Sequence, residues 1–360
     1  MFGGLSLPLL LAAFAAAAGA IWYAGIKLSD MTDVLSTRLG FGQALGGVIL
    51  LAIATNLPEL AITGSAAWSG NLGVAVGNIL GGIAIQTVVL VVLDLFGTRG
   101  GAPLTYRAAS LSLVLEGVLV IAVLTVAIMA TQLPASLIAF RLTPGAVLIT
   151  LIWVVGIWLV SRASKGLPWH DGAGDAPDTQ EKPKGHSQAG KAEGSSGPHV
   201  STARAGIVFG VAALVTLIAG VVLERSGEAI AGHIGMSGVL FGATVLAAAT
   251  SLPEMSTGLA SMRLKDYQLA VSDIFGGNAF LPVLFLLATL ISGAAVLPRA
   301  QGTDIYLAAL GAVLTTVYIC GLIFRPRRRW FGVGVDSLTV LVLYAAGIAG
   351  LVAIAFDAPG

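Results

Sequence analysis

The chain carries two copies of a short polar segment, and each copy lies inside an apolar stretch. Residues 55–59 read Thr-Asn-Leu-Pro-Glu, and residues 250–254 read Thr-Ser-Leu-Pro-Glu. Each copy ends in a glutamate, and a carboxylate at membrane depth usually faces a partner, a cavity or an ion. Because proline has no backbone donor, each helix is predicted to break there and to free carbonyl oxygens at Thr55 and Thr250. Two carboxylates with several such oxygens suit Ca²⁺, which takes about six to eight oxygen ligands.

One offset of 195 residues relates the two copies and the residues around them. It places Glu59 on Glu254 and Asn78 on Asp273. Repeated units with a charged residue at membrane depth are typical of secondary transporters. Glu59 and Glu254 are therefore the predicted metal ligands.

The helix after each glutamate adds further predicted oxygen donors. These are Asn78 and Gln86 in the first copy, and Asp273 and Asn278 in the second. Both helices also carry glycine pairs, which either let neighbouring helices approach closely or serve the site itself.

The same segments also allow a purely structural interpretation. Ser251 and Glu254 have the spacing of a capping box, and Asn56 could cap a helix likewise. A cap alone does not need an acid at membrane depth, and capping and ion binding can coexist.

Composition places the chain in a bilayer. Hydrophobic residues make up 56% and charged residues 10%, whereas about a quarter of a soluble protein is charged. The net charge of +1 argues against nucleic acid as a partner. One cysteine excludes an internal disulfide and a cysteine metal site. Three of the four histidines lie in a polar segment, so an enzyme is not expected.

The predicted fold is all-α, a polytopic membrane protein of about ten transmembrane helices, because apolar segments near 20 residues long must be helical in hydrocarbon. The predicted spans are 7–25, 41–67, 72–96, 108–130, 144–161, 205–223, 237–262, 269–291, 304–324 and 332–356.

A polar, Gly- and Ser-rich segment at 163–203 divides five spans from five. Its composition predicts a flexible linker. The predicted domains are a membrane repeat at 1–162, this linker, and a second repeat at 204–360. Because five is odd, the second repeat crosses the membrane in the opposite sense, which makes the two repeats inverted.

The basic residues give an orientation. With the amino terminus outside, 16 of the 19 Lys and Arg residues fall on the inner side. The positive-inside rule therefore predicts a multi-pass protein of the cell membrane with both termini outside and the linker in the cytoplasm.

The paired segments, each followed by a Gly-rich helix bearing Asn or Asp, resemble the two α-repeats of the Ca²⁺/cation antiporter superfamily, which includes sodium/calcium exchangers. The similarity covers roughly 39–97 and 234–293. It implies ten helices in inverted halves and one central site that binds Ca²⁺ and Na⁺ in turn. The resemblance also implies that Thr55, Asn56, Thr250 and Ser251 are ligands.

The chain departs from that family on the second helix of each repeat. Gly82 and Gly277 stand where a serine is common, and Leu281 stands where a ligand is usual. The leading expectation is Ca²⁺/Na⁺ exchange by alternating access at Glu59 and Glu254. Exchange of Ca²⁺ or another divalent cation for H⁺, through protonation of these glutamates, is the competing expectation.

Two more possibilities concern the mode of transport and the metal. A passive cation channel could use the same acids, and Mn²⁺ could bind the same hard oxygens. The expected partners are the lipid bilayer and the transported cations, without a cofactor. The sequence does not set the oligomeric state, and a monomer is compatible with it.

Overall fold

The computed structural model describes residues 4–38, 46–98, 101–163, 201–236, 241–263 and 265–357, which form a bundle of helices. The linker prediction falls almost wholly on 164–200, outside these residues. The helices are α1 Leu7–Arg38, α2 Gly46–Thr55, α3 Leu57–Ser69, α4 Leu72–Gly97, α5 Leu104–Ala108, α6 Leu111–Thr131, α7 Pro144–Ala163, α8 Thr202–Ile234, α9 Ala247–Thr250, α10 Leu252–Arg263, α11 Tyr267–Phe280, α12 Leu284–Ser292, α13 Gly302–Phe324 and α14 Val335–Asp357.

Eight helices of the described residues are long and apolar enough to cross a membrane. They match eight of the ten predicted spans, with α11 and α12 forming one span across a short 3-10 turn. The second and seventh predicted spans correspond to interrupted helices, 46–69 and 242–263. The all-α prediction is confirmed, while the count of ten remains a prediction.

The two interruptions coincide with the repeated segment. A turn at Asn56 separates α2 from α3, and a turn at Ser251 separates α9 from α10. Pro58 and Pro253 are the second residues of the new helices, a position that needs no backbone donor. One π-helical turn at Gly242–Leu246 precedes α9.

Burial is greatest in the middle of the bundle. Helix α4 and the span made of α11 and α12 are mostly buried, whereas α1, α7, α8 and α14 keep most of their surface exposed. Helices α1 and α8 pack along one another, and α3 packs between α8 and α4. The helices that carry the predicted site residues therefore lie at the centre.

Two helices are longer than predicted. Helix α1 continues to Arg38 rather than ending at 25, and α8 continues to Ile234 rather than 223. The length of an apolar segment indicates which residues cross the membrane and not where the helix ends. The polar turns that continue each helix were therefore not predicted. In α1 a Lys27–Asp30 pair supports the extension, and in α8 polar bonds to α3 do so.

One small sheet interrupts the helical fold. Strand β1, Arg329–Trp330, pairs with strand β2, Val333–Gly334, in an antiparallel hairpin before α14. The carboxylate of Asp94 holds this hairpin by accepting the N–H groups of Gly334 at 2.6 Å and Leu104 at 2.9 Å.

Candidate ion-binding site

The two repeated glutamates come together in the interior of the bundle. Glu59 lies in the first turn of α3 and Glu254 in the first turn of α10, and both are 0% exposed. Their charges are close enough to interact. Inverted halves bring the two interrupted helices towards each other, as the offset of 195 residues predicted.

The threonine side chains of the repeated segments lie beside the carboxylates of the opposite half, Thr250 beside Glu59 and Thr55 beside Glu254. Each hydroxyl donates within its own helix, Thr250 to the carbonyl of Ala247 and Thr55 to that of Leu51, both at 3.1 Å. Thr55 also interacts with Asp273. This exchange of partners is what an inverted repeat produces when its two copies face each other.

Gln86 and Asn56 surround Glu59 within the first half. The side-chain amide of Gln86 donates to Glu59 Oε1 and to Asn56 Oδ1, each at 3.4 Å. These are long bonds, since N–H···O contacts are typically about 2.9–3.0 Å. Gln86, on α4, is therefore placed beside the predicted ligands of α2 and α3.

The second half carries a matching set of polar side chains. Thr257 donates to Asp273 Oδ2 at 2.6 Å, and Asn278 donates to Thr87 of the first half at 3.2 Å. The Asp273 charge also interacts with that of Glu254. Asp273 thus belongs to the same buried region as the glutamate pair.

Several buried oxygen atoms in this region have no donor at hydrogen-bonding distance and angle in the described part of the chain. They are Glu59 Oε2, both carboxylate oxygens of Glu254, Asp273 Oδ1, Gln86 Oε1, Asn78 Oδ1 and Asn278 Oδ1. Buried polar atoms are normally paired, so such a concentration of open acceptors calls for an explanation. Oxygen atoms without donors are what a bound cation uses.

No Lys or Arg whose burial the structure describes is buried. The acidic groups Glu59, Glu254 and Asp273 therefore have no basic residue beside them in the interior. In the same part of the chain, no group of three or more His, Cys, Asp or Glu side chains converges as in a resident metal site. Neutral oxygens would have to complete the coordination of a cation here.

The capping interpretation does not describe the first copy. Asn56 makes no side-chain capping bond and instead donates to the carbonyl of Ala52 at 2.6 Å. In the second copy the Ser251 hydroxyl donates backward to Ala247 at 2.7 Å. Both side chains occupy the turn between helices, as predicted, and bond to the helix before it.

The glycines of the second repeated element serve close packing at one point. A Cβ atom on Gly277 would lie 2.7 Å from Asn56 Nδ2, closer than a side chain tolerates. Gly277 therefore lets α11 approach the predicted ligand Asn56 of the other half. At Gly82 the corresponding atom would make an ordinary contact with Leu281.

Asn78 is buried but is not joined to either glutamate by a hydrogen bond, and neither polar atom of its side chain has a partner among the described residues. The backbone at Asn78 packs against Gly242 of the opposite half. The structure thus places Asn78 at the contact between the two halves. The other predicted site residues lie around the two glutamates themselves: Glu59, Glu254, Thr55, Thr250, Gln86 and Asp273.

Sequence reasoning missed two polar residues that bond to buried carboxyl groups, Thr257 and Ser272. Thr257 binds Asp273 and lies three residues after Glu254, one helical turn away, which is the signal that was available. Ser272 donates to Glu116 of α6 at 2.7 Å. Its position next to Asp273 did not by itself indicate that partner.

Comparisons with known proteins agree with this architecture. The family described as "Sodium/calcium exchanger protein" matches residues 9–162 and 204–353. A protein of Alkalimonas amylolytica named as an antiporter, CaxA, is 25% identical over 297 residues, covering 82% of this chain and 85% of that protein.

Two solved structures share the fold. The H⁺/Ca²⁺ exchanger CAX has a TM-score of 0.62 at 14% identity, covering 96% of this chain and 87% of its own. The sodium-calcium exchanger NCX_Mj has a TM-score of 0.59 at 15% identity, covering 96% and 99%. Because the family matches most of both halves, the chain belongs to the sodium/calcium exchanger family of membrane antiporters.

Proposed function

We propose that this antiporter exchanges Ca²⁺ for a monovalent cation at a single site between Glu59 and Glu254. The observation that carries the proposal is that these two buried carboxylates, one from each half, lie close enough for their charges to interact. Three of their four oxygens have no donor in hydrogen-bonding geometry among the described residues. A dication would be neutralised by the pair. Neutral oxygens from Thr55, Thr250 and Gln86 would complete its coordination.

The same geometry gives a reason for obligate exchange. Two carboxylates buried without a basic partner are costly when nothing neutralises them. Either Ca²⁺ or its counter-ion can neutralise Glu59 and Glu254, so the protein can switch between its inward-facing and outward-facing forms with either ion bound. When the site is empty and charged, this switch is disfavoured.

Na⁺ is the first candidate for the counter-ion. Gln86, Asn78 and Asn278 each have a buried amide oxygen without a donor among the described residues. Such neutral oxygens can bind Na⁺ beside the acids without adding charge. Family membership and the sodium-calcium exchanger fold support this choice.

H⁺ is the second candidate, and a different observation favours it. Asp273 adds a third buried carboxyl group, whose charge interacts with that of Glu254 and which accepts the Thr257 hydroxyl. One dication cannot neutralise three carboxylates. The similarity to an H⁺/Ca²⁺ exchanger fold is consistent with protons doing so.

The counter-ion is tested in vesicles containing the purified full chain. Ca²⁺ uptake is measured under an outward Na⁺ gradient at uniform pH, and separately under a proton gradient without Na⁺. The gradient that drives uptake identifies the counter-ion. Uptake that responds to neither gradient, with a matching Ca²⁺ conductance, indicates a channel and overturns the proposal.

The proposed orientation is both termini outside, with the 163–203 segment in the cytoplasm of a multi-pass protein of the cell membrane. The basic residues support it. Single cysteines in place of Ser6 or Ser195, in a Cys320→Ser background, test it with a membrane-impermeant reagent. Labelling of position 6 and protection of position 195 in intact cells is expected, and the reverse contradicts it.

A further inference from the structure

A turn with an exposed phenylalanine precedes the last helix of each half. In the first half, residues 139–142 form the turn and Phe140 is 96% exposed. In the second half, residues 329–334 form it and Phe331 is 89% exposed. Both phenylalanines have a left-handed φ of 51°. The two turns are therefore equivalent elements of the inverted repeat and lie at opposite ends of the bundle.

Only the second turn carries a cluster of arginines. We call residues 325–334 the arginine hairpin, since it holds Arg325, Arg327, Arg328 and Arg329. The first turn has Arg141 alone, which donates to the carbonyl of Leu290 at 3.0 Å. The cluster is thus a property of one end of the molecule.

Two of these arginines share one aromatic ring. The guanidinium groups of Arg325 and Arg327 lie 5.0 and 5.1 Å from the centre of the Tyr106 ring. Arg325 also donates to the Tyr106 carbonyl at 3.3 Å, and Arg327 to its hydroxyl at 3.1 Å. Two like charges are therefore held against one aromatic ring, and an anion near them would be attracted to both.

No carboxylate of the described residues pairs with this cluster. Asp94 accepts two backbone N–H groups, and Asp336 accepts the Thr105 hydroxyl and a backbone N–H. The Nε atom of Arg325 is buried and has no acceptor in the same part of the chain. The positive charge is thus organised by the fold and is not neutralised by it.

Arg329 fixes the hairpin in place and is not available for a ligand. It donates to Thr98 Oγ1 at 2.7 Å and to the carbonyls of Gly101 and Gly332. Arg327 and Arg328 remain exposed.

Exposed aromatic residues lie beside these charges. Trp330 is 56% exposed, and Phe331 at the turn is more so. The hairpin connects the membrane spans α13 and α14, and the exposed Phe324 ends the first of them. Aromatic rings at the ends of membrane spans favour the membrane interface, where headgroup phosphates are also found.

We propose that the arginine hairpin binds the headgroup phosphates of anionic phospholipids through Arg325, Arg327 and Arg328, with Trp330 and Phe331 inserted into the interface. A basic cluster directly beside a membrane span is attracted to anionic lipid. Guanidinium groups bind phosphate through paired hydrogen bonds. The site lies away from the Glu59–Glu254 pair and does not depend on the ion that the protein carries.

The test measures lipid bound to the purified full chain. The protein is exchanged from phosphatidylcholine into mixtures of phosphatidylcholine and phosphatidylglycerol, and retained lipid is counted by native mass spectrometry. The wild type should retain phosphatidylglycerol selectively. Arg327→Gln/Arg328→Gln should bind it about thirtyfold more weakly, since each basic residue near an anionic surface contributes about a fivefold factor.

Two controls separate this site from general charge. Arg263→Gln/Arg299→Gln removes two exposed arginines outside the cluster and should retain phosphatidylglycerol as the wild type does. Arg327→Lys/Arg328→Lys keeps the charge and should restore part of the binding lost in the glutamine variant. The Ca²⁺ uptake of each variant shows that it has folded.

Equal retention by Arg327→Gln/Arg328→Gln and the wild type would overturn the proposal. So would release of phosphatidylglycerol by inorganic phosphate at millimolar concentration, because the cluster would then be a site for the free anion. Neither result bears on Ca²⁺ exchange. Loss of Ca²⁺ uptake in Glu59→Gln or Glu254→Gln, in turn, leaves the lipid measurement unaffected.

Discussion

Glu59 and Glu254 lie close enough in the interior for their charges to interact, although 195 residues separate them in the chain. Each begins a helix that restarts after a turn, and each faces a threonine of the opposite half. The relationship makes the site a joint product of both repeats. Neither half can supply it alone.

Neutralising either glutamate should abolish Ca²⁺ uptake. Glu59→Gln and Glu254→Gln keep the volume of the side chain and remove one of the two charges that would balance a dication. Uptake into vesicles should fall at least a hundredfold in each. Asp30→Asn removes an exposed acid and should leave uptake unchanged. A normal rate in either glutamine variant would count against a shared site.

Removing the unpaired amide of Asn78 should separate stability from ion binding. Its polar atoms are buried and have no partner among the described residues, so Asn78→Leu should raise the melting temperature without Ca²⁺. If the amide is a ligand, Ca²⁺ should raise the melting temperature of the same variant by less than it raises that of the wild type. Thr315→Val, which alters a hydroxyl bonded within its own helix, should leave the Ca²⁺-induced shift intact.

The Glu116–Ser272 bond should show energetic coupling. Ser272→Ala leaves a buried carboxyl group without its 2.7 Å donor, which should cost about 1–3 kcal/mol of stability. A cycle with Glu116→Leu, whose side chain cannot accept the Ser272 hydroxyl, measured by chemical unfolding in detergent, should give a coupling energy of about 0.5–3 kcal/mol. Additive effects of the two changes would show that the contact contributes nothing.

Asp94 should hold the arginine hairpin against α4 and α5. Asp94→Ala leaves the N–H groups of Leu104 and Gly334 without their acceptor. Hydrogen exchange at residues 329–334 should therefore become faster, while exchange in the Phe140 turn at the other end stays the same. Unchanged protection of Gly334 would mean that packing alone fixes the hairpin.

The structural features that occur in both halves of the chain were predicted from the sequence, whereas contacts that occur in only one half were not. The offset between Glu59 and Glu254 was sufficient to predict interrupted helices and a shared interior. The Ser272–Glu116 contact has no counterpart at the equivalent residues Gly77 and Gly311, so the repeat carried no signal for it.

Helix ends were missed for a different reason. Hydropathy reports which residues lie in the membrane, whereas the extensions of α1 beyond residue 25 and of α8 beyond residue 223 contain charged side chains. In α8 the carboxylate of Glu224 accepts the Ser65 hydroxyl at 3.1 Å. That bond depends on how α8 packs against α3. The hydropathy pattern of the sequence carries no information on which helices pack together.

The position of the bound dication tests the central claim most directly. Crystals of the full chain grown with Ca²⁺ would be measured at a long X-ray wavelength, where calcium gives an anomalous signal. We expect one peak within about 2.3–2.6 Å of carboxylate oxygens from both Glu59 and Glu254. A peak bound by only one of these residues, or located elsewhere, would contradict a site shared by the two halves.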